Sequence, residues 1–211
     1  MTSKAYFETI FLEKKFNSKN YSGDGSLPEQ TKELIKNIPE IIKQYNINTL
    51  LDIPCGDFEY MKYIYSTIPN YIGGDISENV IKRNRELYPG VNLQVINLQT
   101  DPLPNCDCIL VRDLFVHLTY DEIKNCLRNI KKHNIKYILT TTFTKTGVIR
   151  SVNWTNVIIS PEYVFWQPIN LEIEPLKFPK PLYLLNENCT EANNKFNDKS
   201  LGLWLVDSIN I

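Results

Sequence analysis

The chain has 211 residues, of which 43% are apolar and 22% charged, and its formal net charge is -1. A chain of this size buries a core as one globular domain without metal or disulfide crosslinks. The near-zero charge provides no general attraction to nucleic acid or to an anionic membrane, and no apolar run approaches the roughly 20 residues of a spanning helix. We therefore expect a single cytoplasmic domain with no nucleic-acid partner and no membrane span.

The first predicted elements alternate between helix and strand. Apolar residues at helical spacing after Pro28 predict an amphipathic helix that ends before Asn46, and a strand follows over Thr49–Ile53. Helical spacing recurs in two further stretches, over Phe58, Met61, Ile64 and Tyr65, and over Val80, Ile81 and Leu87. Between them lies the apolar stretch Tyr71–Gly74, which ends on Asp75.

The alternation continues through the middle of the chain. Three more strands are predicted over Val91–Val95, Asp107–Val111 and Ile135–Phe143, with a helix over Tyr120–Lys132. This order predicts the α/β class: a Rossmann-like, doubly wound, mainly parallel sheet with helices on both faces. Ligands of such sheets bind beyond the carboxyl ends of the strands.

The last third of the chain has a different composition. Residues 144–181 are rich in proline and aromatic residues, which predicts irregular structure, and strands over Leu182–Leu185 and Leu201–Val206 predict an antiparallel pair. We divide the single domain, 1–211, into three parts: 1–47, with N-terminal helices and a covering loop; 48–143, the binding core; and 144–211, the acceptor segment with the terminal strands.

Five cysteines and two histidines are spread along the sequence. An odd number of cysteines without a signal-peptide pattern indicates a reducing compartment and buried free thiols. Because no His, Asp and Glu cluster has the spacing of a metal site, we expect no metal cofactor.

Two strand ends carry the clearest functional signal. Leu50–Phe58 reads as a buried strand that turns at Gly56 into the next element, and Asp75 ends the following strand. An acidic residue roughly 20 residues beyond a glycine-containing first turn is the arrangement that binds the ribose hydroxyls of a nucleoside. Both oxygens of the Asp75 carboxylate can accept hydrogen bonds from that diol.

These motifs resemble, in order, those of the class I S-adenosylmethionine-dependent methyltransferases. The matching segments are Leu51–Phe58, Gly74–Ser77, Asp101–Pro104 and Cys108–Asp113. Other parts of the chain resemble a narrower subgroup that is often associated with glycans and polysaccharides. They are Pro54–Phe58, Arg112–Leu118, Thr140–Phe143, Trp166–Leu171 and Glu187. The first motif has Pro54 and Phe58 where glycines are usual, which disfavours a dinucleotide pyrophosphate and favours S-adenosylmethionine over NAD.

The resemblance implies a set of residues that bind S-adenosylmethionine and its product S-adenosylhomocysteine. Asp52 either meets the amino group of the donor, orients the turn or caps local backbone, and Asn97 accepts from the adenine amino group. The loop Ser22–Ser26 is either a flap over the donor or a plain loop. The full predicted set is Asp52, Pro54, Cys55, Gly56, Asp57, Asp75, Ile76, Asn97, Leu98 and Arg112.

Arg112, Asp113 and His117 follow the fourth strand, where donor and acceptor meet in this architecture, and are the predicted catalytic residues. Methylation of a hydroxyl requires proton removal, for which the near-neutral reference pKa of histidine is suited. One helical turn would put Asp113 and His117 on a single face. Either His117 or Asp113 is the base, with Asp113 alternatively orienting His117, while a packing role for His117 stays open. Arg112 holds either an acidic acceptor or a carboxylate of the fold, and His133 is predicted to be structural.

Aromatic residues supply the predicted acceptor site. Trp154, Tyr163 and Trp166 suit the flat apolar sides of sugar rings, although the same residues could form an ordinary lid on the sheet.

We therefore predict O-methylation of a sugar, nucleotide sugar or oligosaccharide by a side-chain base. The alternatives are N- or O-methylation of another small molecule or protein, an NAD-linked oxidoreductase, and a non-catalytic binding relative.

Overall fold

The computed structural model of the chain describes residues 3–13, 21–145 and 166–211. In these ranges the strands are β1 (Thr49–Asp52), β2 (Asn70–Asp75), β3 (Leu93–Val95), β4 (Cys108–Val111), β5 (Tyr137–Phe143), β6 (Tyr183–Asn186) and β7 (Lys199–Leu205). The helices are α1 (Ser3–Leu12), α2 (Pro28–Gln44), α3 (Glu78–Leu87), α4 (Tyr120–Lys132) and the short, kinked α5 (Glu191–Asn194).

The described strands form one seven-stranded sheet in the order β3-β2-β1-β4-β5-β7-β6. Neighbours from β3 to β5 are parallel, while β7 is antiparallel to both β5 and β6. The predicted Rossmann-like class and the antiparallel terminal pair are therefore confirmed. From β1 the chain builds one side of the sheet outward to β3, and from β4 it builds the other side, so β1 and β4 form a switch point. Open α/β sheets bind ligands at such a point.

Successive side chains of the central strands point to opposite faces of the sheet, and helices cover both faces. Leu50 and Leu110 pack with Leu34 and Ile38 of α2 on one face. Leu51, Ile109 and Val111 pack on the other face with the α4 residues Ile123, Leu127 and Ile130. Because both faces are covered, β4 is a continuous apolar run with every residue buried, as expected for a central parallel strand.

One element prediction is wrong. The stretch from Phe58 to Tyr65 was expected to form a helix from its apolar spacing, but it forms two 3-10 turns, Met61–Tyr63 and Tyr65–Thr67. The segment is short, rich in aromatic and β-branched residues, and ends at Pro69. Such side chains lose rotamer freedom in an α-helix and proline stops it, so packing of Phe58 on Tyr71 decides the conformation instead.

The N-terminal helix α1 lies over the carboxyl edge of the sheet, next to α3. The Glu8 carboxylate accepts hydrogen bonds from the Ser77 hydroxyl over 2.9 Å and the Glu78 N–H over 2.7 Å, which caps the start of α3. None of the helices in the described ranges is long and apolar enough to cross a bilayer. All five cysteines are buried free thiols, as predicted.

Candidate functional site

A cavity of about 130 Å³ opens at the carboxyl ends of β1, β2 and β4. We call it the sheet-edge cavity. Its floor contains the first turn and the ends of β2 and β4, and its roof is formed by α1 together with Tyr21 and Ser22. The predicted residues that line it are Pro54, Cys55, Gly56, Asp57, Asp75, Ile76, Arg112, Asp113 and His117.

Asp75 lies in this cavity and is only 6% exposed. Its Oδ1 accepts from the Ser77 N–H over 2.9 Å and its Oδ2 accepts from the Gly56 N–H over 3.2 Å. Burial raises its pKa to about 6, although these two backbone donors favour the ionised form. Since each carboxylate oxygen has room for a second hydrogen bond, Asp75 retains the capacity to accept from a ribose diol.

The first turn is closed from above by the loop Tyr21–Ser26, which we call the flap. Gly56 has a φ of 51°, and a Cβ there would come within 2.3 Å of the Ser22 Oγ. The Asp57 N–H donates to that Oγ over 2.8 Å, and the Asp57 carboxylate accepts from the Tyr21 N–H over 2.8 Å. The space that the missing side chain of Gly56 leaves is therefore taken by the flap.

Asp52 is buried and does not line the cavities described here. Its Oδ2 accepts from the Tyr71 hydroxyl over 2.7 Å, while its Oδ1 has no hydrogen-bond partner in the described part of the chain. Burial raises its pKa to about 7. This position favours the predicted role in holding the turn over direct contact with a ligand.

A side cavity of about 30 Å³ adjoins the sheet-edge cavity beside Pro54 and Ile76 and is lined by Asn97 and Leu98. The Asn97 Oδ1 accepts from the Gln99 N–H over 3.0 Å, so the amide oxygen predicted to bind adenine is already used in a local turn. Apart from Gln99, the other lining residues are apolar, among them Ile53, Ile96 and Leu118.

Four charges meet at the end of β4: Asp113, which is partly exposed, and the buried Arg112, Glu187 and Lys199. We call them the charge quartet. Arg112 donates to Glu187 over 2.8 Å and lies 3.2 Å from the Asp113 carboxylate. Lys199 donates to the Asp113 Oδ2 over 2.6 Å, and its side chain is 5% exposed. Arg112 also donates to the Gly25 carbonyl over 2.8 Å, which fastens the flap to the quartet.

Asp113 has no helical conformation, since its φ is 54° and only the turn Phe115–His117 is 3-10. Its N–H donates to the Thr141 hydroxyl over 2.9 Å. Burial opposes ionisation of Asp113, but attraction by Arg112 and Lys199 prevails and lowers its pKa to about 2. A carboxylate held by these donors is a poor proton acceptor near neutral pH.

His117 lines the sheet-edge cavity and also a larger outer cavity of about 580 Å³. The two cavities share Ser22, Asp113 and His117. His117 also makes an edge contact with the Phe7 ring of α1, at 6.5 Å between ring centroids. In contrast, His133 accepts from the Leu103 N–H over 3.2 Å and contacts the Asn129 carbonyl over 2.9 Å, which fits its predicted structural role.

Of the predicted acceptor residues, Trp166 lines the outer cavity and is 39% exposed. Its ring lies 4.7 Å from that of Phe196 and 5.9 Å from that of Phe143. Trp154 and Tyr163 lie outside the described residues.

Sequence reasoning missed the residues that α5 and β7 bring to the site, chiefly Glu191 and Lys199. Lys199 begins a strand whose other residues are mostly apolar, and every residue of that strand except Leu205 is buried. A lysine in such a strand was the available signal, because an ammonium group is almost never buried without a partner. The predicted Arg112 cannot be understood without these later residues.

The lining of the sheet-edge cavity fits a cationic ligand better than an anionic one. On the described wall, four carboxylates, from Asp57, Glu59, Asp75 and Asp113, face a single guanidinium from Arg112. S-adenosylmethionine carries a sulfonium, whereas a dinucleotide would place a pyrophosphate among these carboxylates. Among the residues that the structure describes, Asp75 presents a carboxylate at this cavity that could accept hydrogen bonds from a ribose diol.

Comparison with known proteins agrees with this geometry. A family model described as a methyltransferase domain matches residues 51–134, which run from β1 to the end of α4. No curated protein sequence matches the chain.

Solved structures share the fold at low sequence identity. A Pyrococcus horikoshii OT3 protein is 16% identical with a TM-score of 0.61, over 90% of this chain and 92% of that one. An S-adenosylmethionine-dependent methyltransferase from Clostridium acetobutylicum ATCC 824 is 12% identical with a TM-score of 0.58, over 82% and 90%. A sugar N-methyltransferase from Streptoalloteichus is 14% identical with a TM-score of 0.50, over 62% and 54%.

The chain spans only about half of two other solved proteins, 54% of Streptomyces venezuelae DesVI and 49% of Micromonospora echinaspora CalS10. Residues 51–134 match a methyltransferase domain and the sheet has a Rossmann-like fold, and together these findings support an S-adenosylmethionine-dependent methyltransferase.

Proposed function

We propose that the protein transfers a methyl group from S-adenosylmethionine to a hydroxyl of a sugar or glycan, with His117 as the base. The observation that carries this proposal is the junction of two cavities. The sheet-edge cavity, with Asp75, and the larger outer cavity share Asp113 and His117. A donor held in the first and an acceptor in the second would meet at these side chains.

The bound donor supplies an electrophilic methyl carbon on a positively charged sulfur. The protein must align the acceptor oxygen with that carbon and remove the hydroxyl proton as the new O–C bond forms and the S–C bond breaks. His117 receives the proton and becomes an imidazolium. The neighbouring carboxylate of Asp113 stabilises that positive charge.

The assignment of His117 rather than Asp113 follows from how the carboxylate is held. Lys199 and Arg112 contact one oxygen of Asp113 and the Thr141 hydroxyl lies 3.3 Å from the other. With a pKa of about 2, Asp113 stays ionised and does not retain a proton at neutral pH. Asp113 therefore acts as an orienting and stabilising group.

The sugar part of the proposal is supported by the outer cavity. Its volume of about 580 Å³ lies within the range of small-molecule sites, and Trp166 offers an exposed ring face to the apolar side of a sugar. The fold is compatible with such an acceptor, since the Streptoalloteichus enzyme of the same architecture is a sugar N-methyltransferase.

The test is a mass-spectrometric assay with S-adenosylmethionine and a panel of free sugars, oligosaccharides and nucleotide sugars. A methylated sugar is the expected product, and His117→Ala should lower kcat by about 10²–10⁴-fold, the usual contribution of a general base. Calorimetry with S-adenosylhomocysteine serves as the control, because the variant should still bind it. A methylated amine with turnover unaffected by His117→Ala would replace this proposal by N-methylation.

Binding of NAD in place of S-adenosylhomocysteine would contradict the donor assignment. The carboxylates around the sheet-edge cavity make this outcome unfavourable, because they would face the pyrophosphate of the dinucleotide.

A further inference from the structure

The outer cavity carries more negative than positive charge on its described wall. Asp24, Asp113 and Glu191 contribute carboxylates, and Lys199 contributes the single ammonium group of the described lining. Lys199 is already paired with Asp113 over 2.6 Å. Asp24 is therefore left without a matching cation in that wall, and Glu191 shares Lys199 with Asp113 at the longer distance of 4.0 Å.

Glu191 lies next to Asp113 and Lys199 in the outer cavity. Its Oε2 lies 3.6 Å from the place of a Cβ on Gly25, where the Asp113 and Lys199 side chains lie at 3.1 and 3.3 Å. The Glu191 and Lys199 side chains are 4.0 Å apart, which is too long for a hydrogen bond. With a side chain 29% exposed, Glu191 can accept a hydrogen bond from a molecule in the cavity.

The position of Glu191 is fixed by the residues that precede it. The Thr190 N–H donates to the Gln30 Oε1 over 3.0 Å, and the Gln30 amide donates back to the Thr190 hydroxyl over 2.7 Å. Gln30 belongs to α2 and is 7% exposed, so this reciprocal pair ties the segment before α5 to the core. The Cys189 thiol donates to the Glu191 Oε2 over 3.4 Å.

We propose that the outer cavity selects acceptors without phosphate, that is, free or glycosidically linked neutral sugars rather than sugar phosphates or nucleotide sugars, and that Glu191 sets this preference. The inference rests on the proposed function and narrows its substrate class. A hydroxyl donates to the Glu191 carboxylate, whereas a phosphate in the same place offers only acceptor oxygens and a like charge.

The aromatic side of the cavity complements this selection. Trp166 and Phe196 form an edge contact at 4.7 Å between centroids, and both line the cavity with Glu191. A sugar stacked on Trp166 presents its hydroxyls sideways to the carboxylate. Lys195 places its ammonium 5.5 Å from the Phe196 centroid and is not part of the described lining.

The experiment compares matched pairs: a monosaccharide and its phosphate monoester, each as methyl acceptor and as ligand of the S-adenosylhomocysteine complex. The wild-type protein should use the neutral member with at least about tenfold higher kcat/KM, since like charges at a binding site cost more than a factor of ten. Glu191→Gln should reduce this ratio severalfold, and Glu191→Lys should reverse it. Glu86→Gln, on the exposed side of α3, is the matched control and should leave the ratio unchanged.

Two results would overturn the inference while the proposed function stands: equal or better use of the phosphate ester by the wild type, or an unchanged ratio in Glu191→Gln. If no sugar is methylated, the proposed function fails, and the binding ratio for the S-adenosylhomocysteine complex still tests the charge preference. Absence of binding by every pair member would reject both.

Discussion

Ser22 and Asp57 exchange hydrogen bonds between the flap and the first turn. The Asp57 N–H donates to the Ser22 Oγ over 2.8 Å, and the Asp57 carboxylate accepts from the Ser22 N–H over 3.3 Å. The same carboxylate oxygen accepts from the Tyr21 N–H over 2.8 Å. One acidic side chain thus holds the start of the flap over the sheet-edge cavity.

We predict that Asp57→Ala loosens the flap. Hydrogen bonds to a charged group contribute about 1.5–3 kcal/mol, so the amides of Tyr21 and Ser22 should exchange with solvent at least tenfold faster. Affinity for S-adenosylhomocysteine should fall in parallel. The matched control is Asp107→Ala, because Asp107 accepts from two backbone N–H groups, those of Asn48 and Thr49, at the opposite end of β1. Exchange at Tyr21 and Ser22 that is equally fast in both variants would contradict this role.

Gly56 should tolerate no side chain while Ser22 is present. In Gly56→Ala the new Cβ would lie 2.3 Å from the Ser22 Oγ, and alanine would also adopt a φ of 51° at a cost of about 1–2 kcal/mol. The double variant Ser22→Gly/Gly56→Ala removes the clash but keeps the backbone strain. Donor affinity, measured by calorimetry, should therefore recover only in part. Full recovery would show that the left-handed conformation has no importance.

Asp75 should make donor binding depend on pH. Ribose hydroxyls donate to the ionised carboxylate, so affinity is present above the pKa of about 6 and is lost as the pH falls through it. The affinity of wild-type protein for S-adenosylhomocysteine should drop between pH 7 and pH 5, a range set by that pKa. Asp75→Asn should bind about 10–100-fold more weakly at pH 7 and show a flatter profile, because it loses a charge-assisted bond. A steep profile that persists in Asp75→Asn would assign the titration elsewhere.

Asp52 should make folding stability depend on pH in the opposite direction. Burial raises its pKa from 3.8 to about 7, so its protonated form is favoured in the folded protein. The resulting stabilisation is complete below pH 3.8 and is lost as the pH rises through about 7. Urea titrations should show that the unfolding free energy of the wild type falls over this range relative to Asp52→Asn, which does not titrate. Parallel curves for the two proteins would disprove the shift.

Lys199 should be essential for the charge quartet. Lys199→Met leaves the Asp113 carboxylate without its 2.6 Å donor, and breaking a buried ion pair costs about 3–5 kcal/mol. The pKa of Asp113 should then rise from about 2, because one of the two cations that lower it is gone. Lys199→Arg keeps the charge and should retain more stability. Thermal unfolding of both variants, with the carboxyl titration followed by NMR, checks the prediction.

The core of the fold could be predicted from local patterns. The helix Tyr120–Lys132 was predicted with the bounds it has, because Thr119 and Glu122 form a capping box and the apolar spacing is regular. The strands from Thr49 to Phe143 differ by at most two residues at either end. In contrast, the turns after Phe58 depend on contacts with Tyr71 and Tyr88, which come from distant segments and override apolar spacing.

The residues of the candidate site could likewise be predicted where local sequence patterns place them, but not where distant segments bring them together. Asp75, Gly56 and His117 were predicted because each lies at the end of a strand or in the turn that follows it. Lys199 and Glu191 come from the antiparallel end of the sheet, about 80 residues from Asp113 along the chain, and only the pairing of β7 with β5 brings them near. From the sequence, Asp113 is a possible base, because Arg112 is its neighbouring cation along the chain and the contact with Lys199 is not visible there.

Arg112, Asp113, Glu187 and Lys199 also constrain how this sequence can vary. With two positive and two negative groups in one largely buried cluster, loss of any single member leaves an uncompensated charge, while removal of an opposite pair leaves the cluster neutral. Substitutions here should therefore be tolerated in pairs, so that Asp113 and Lys199 covary among homologues although Asp113 lies in the loop after β4 and Lys199 on β7. Substitutions in the terminal strand pair, β6 and β7, would then accompany substitutions in the loop after β4.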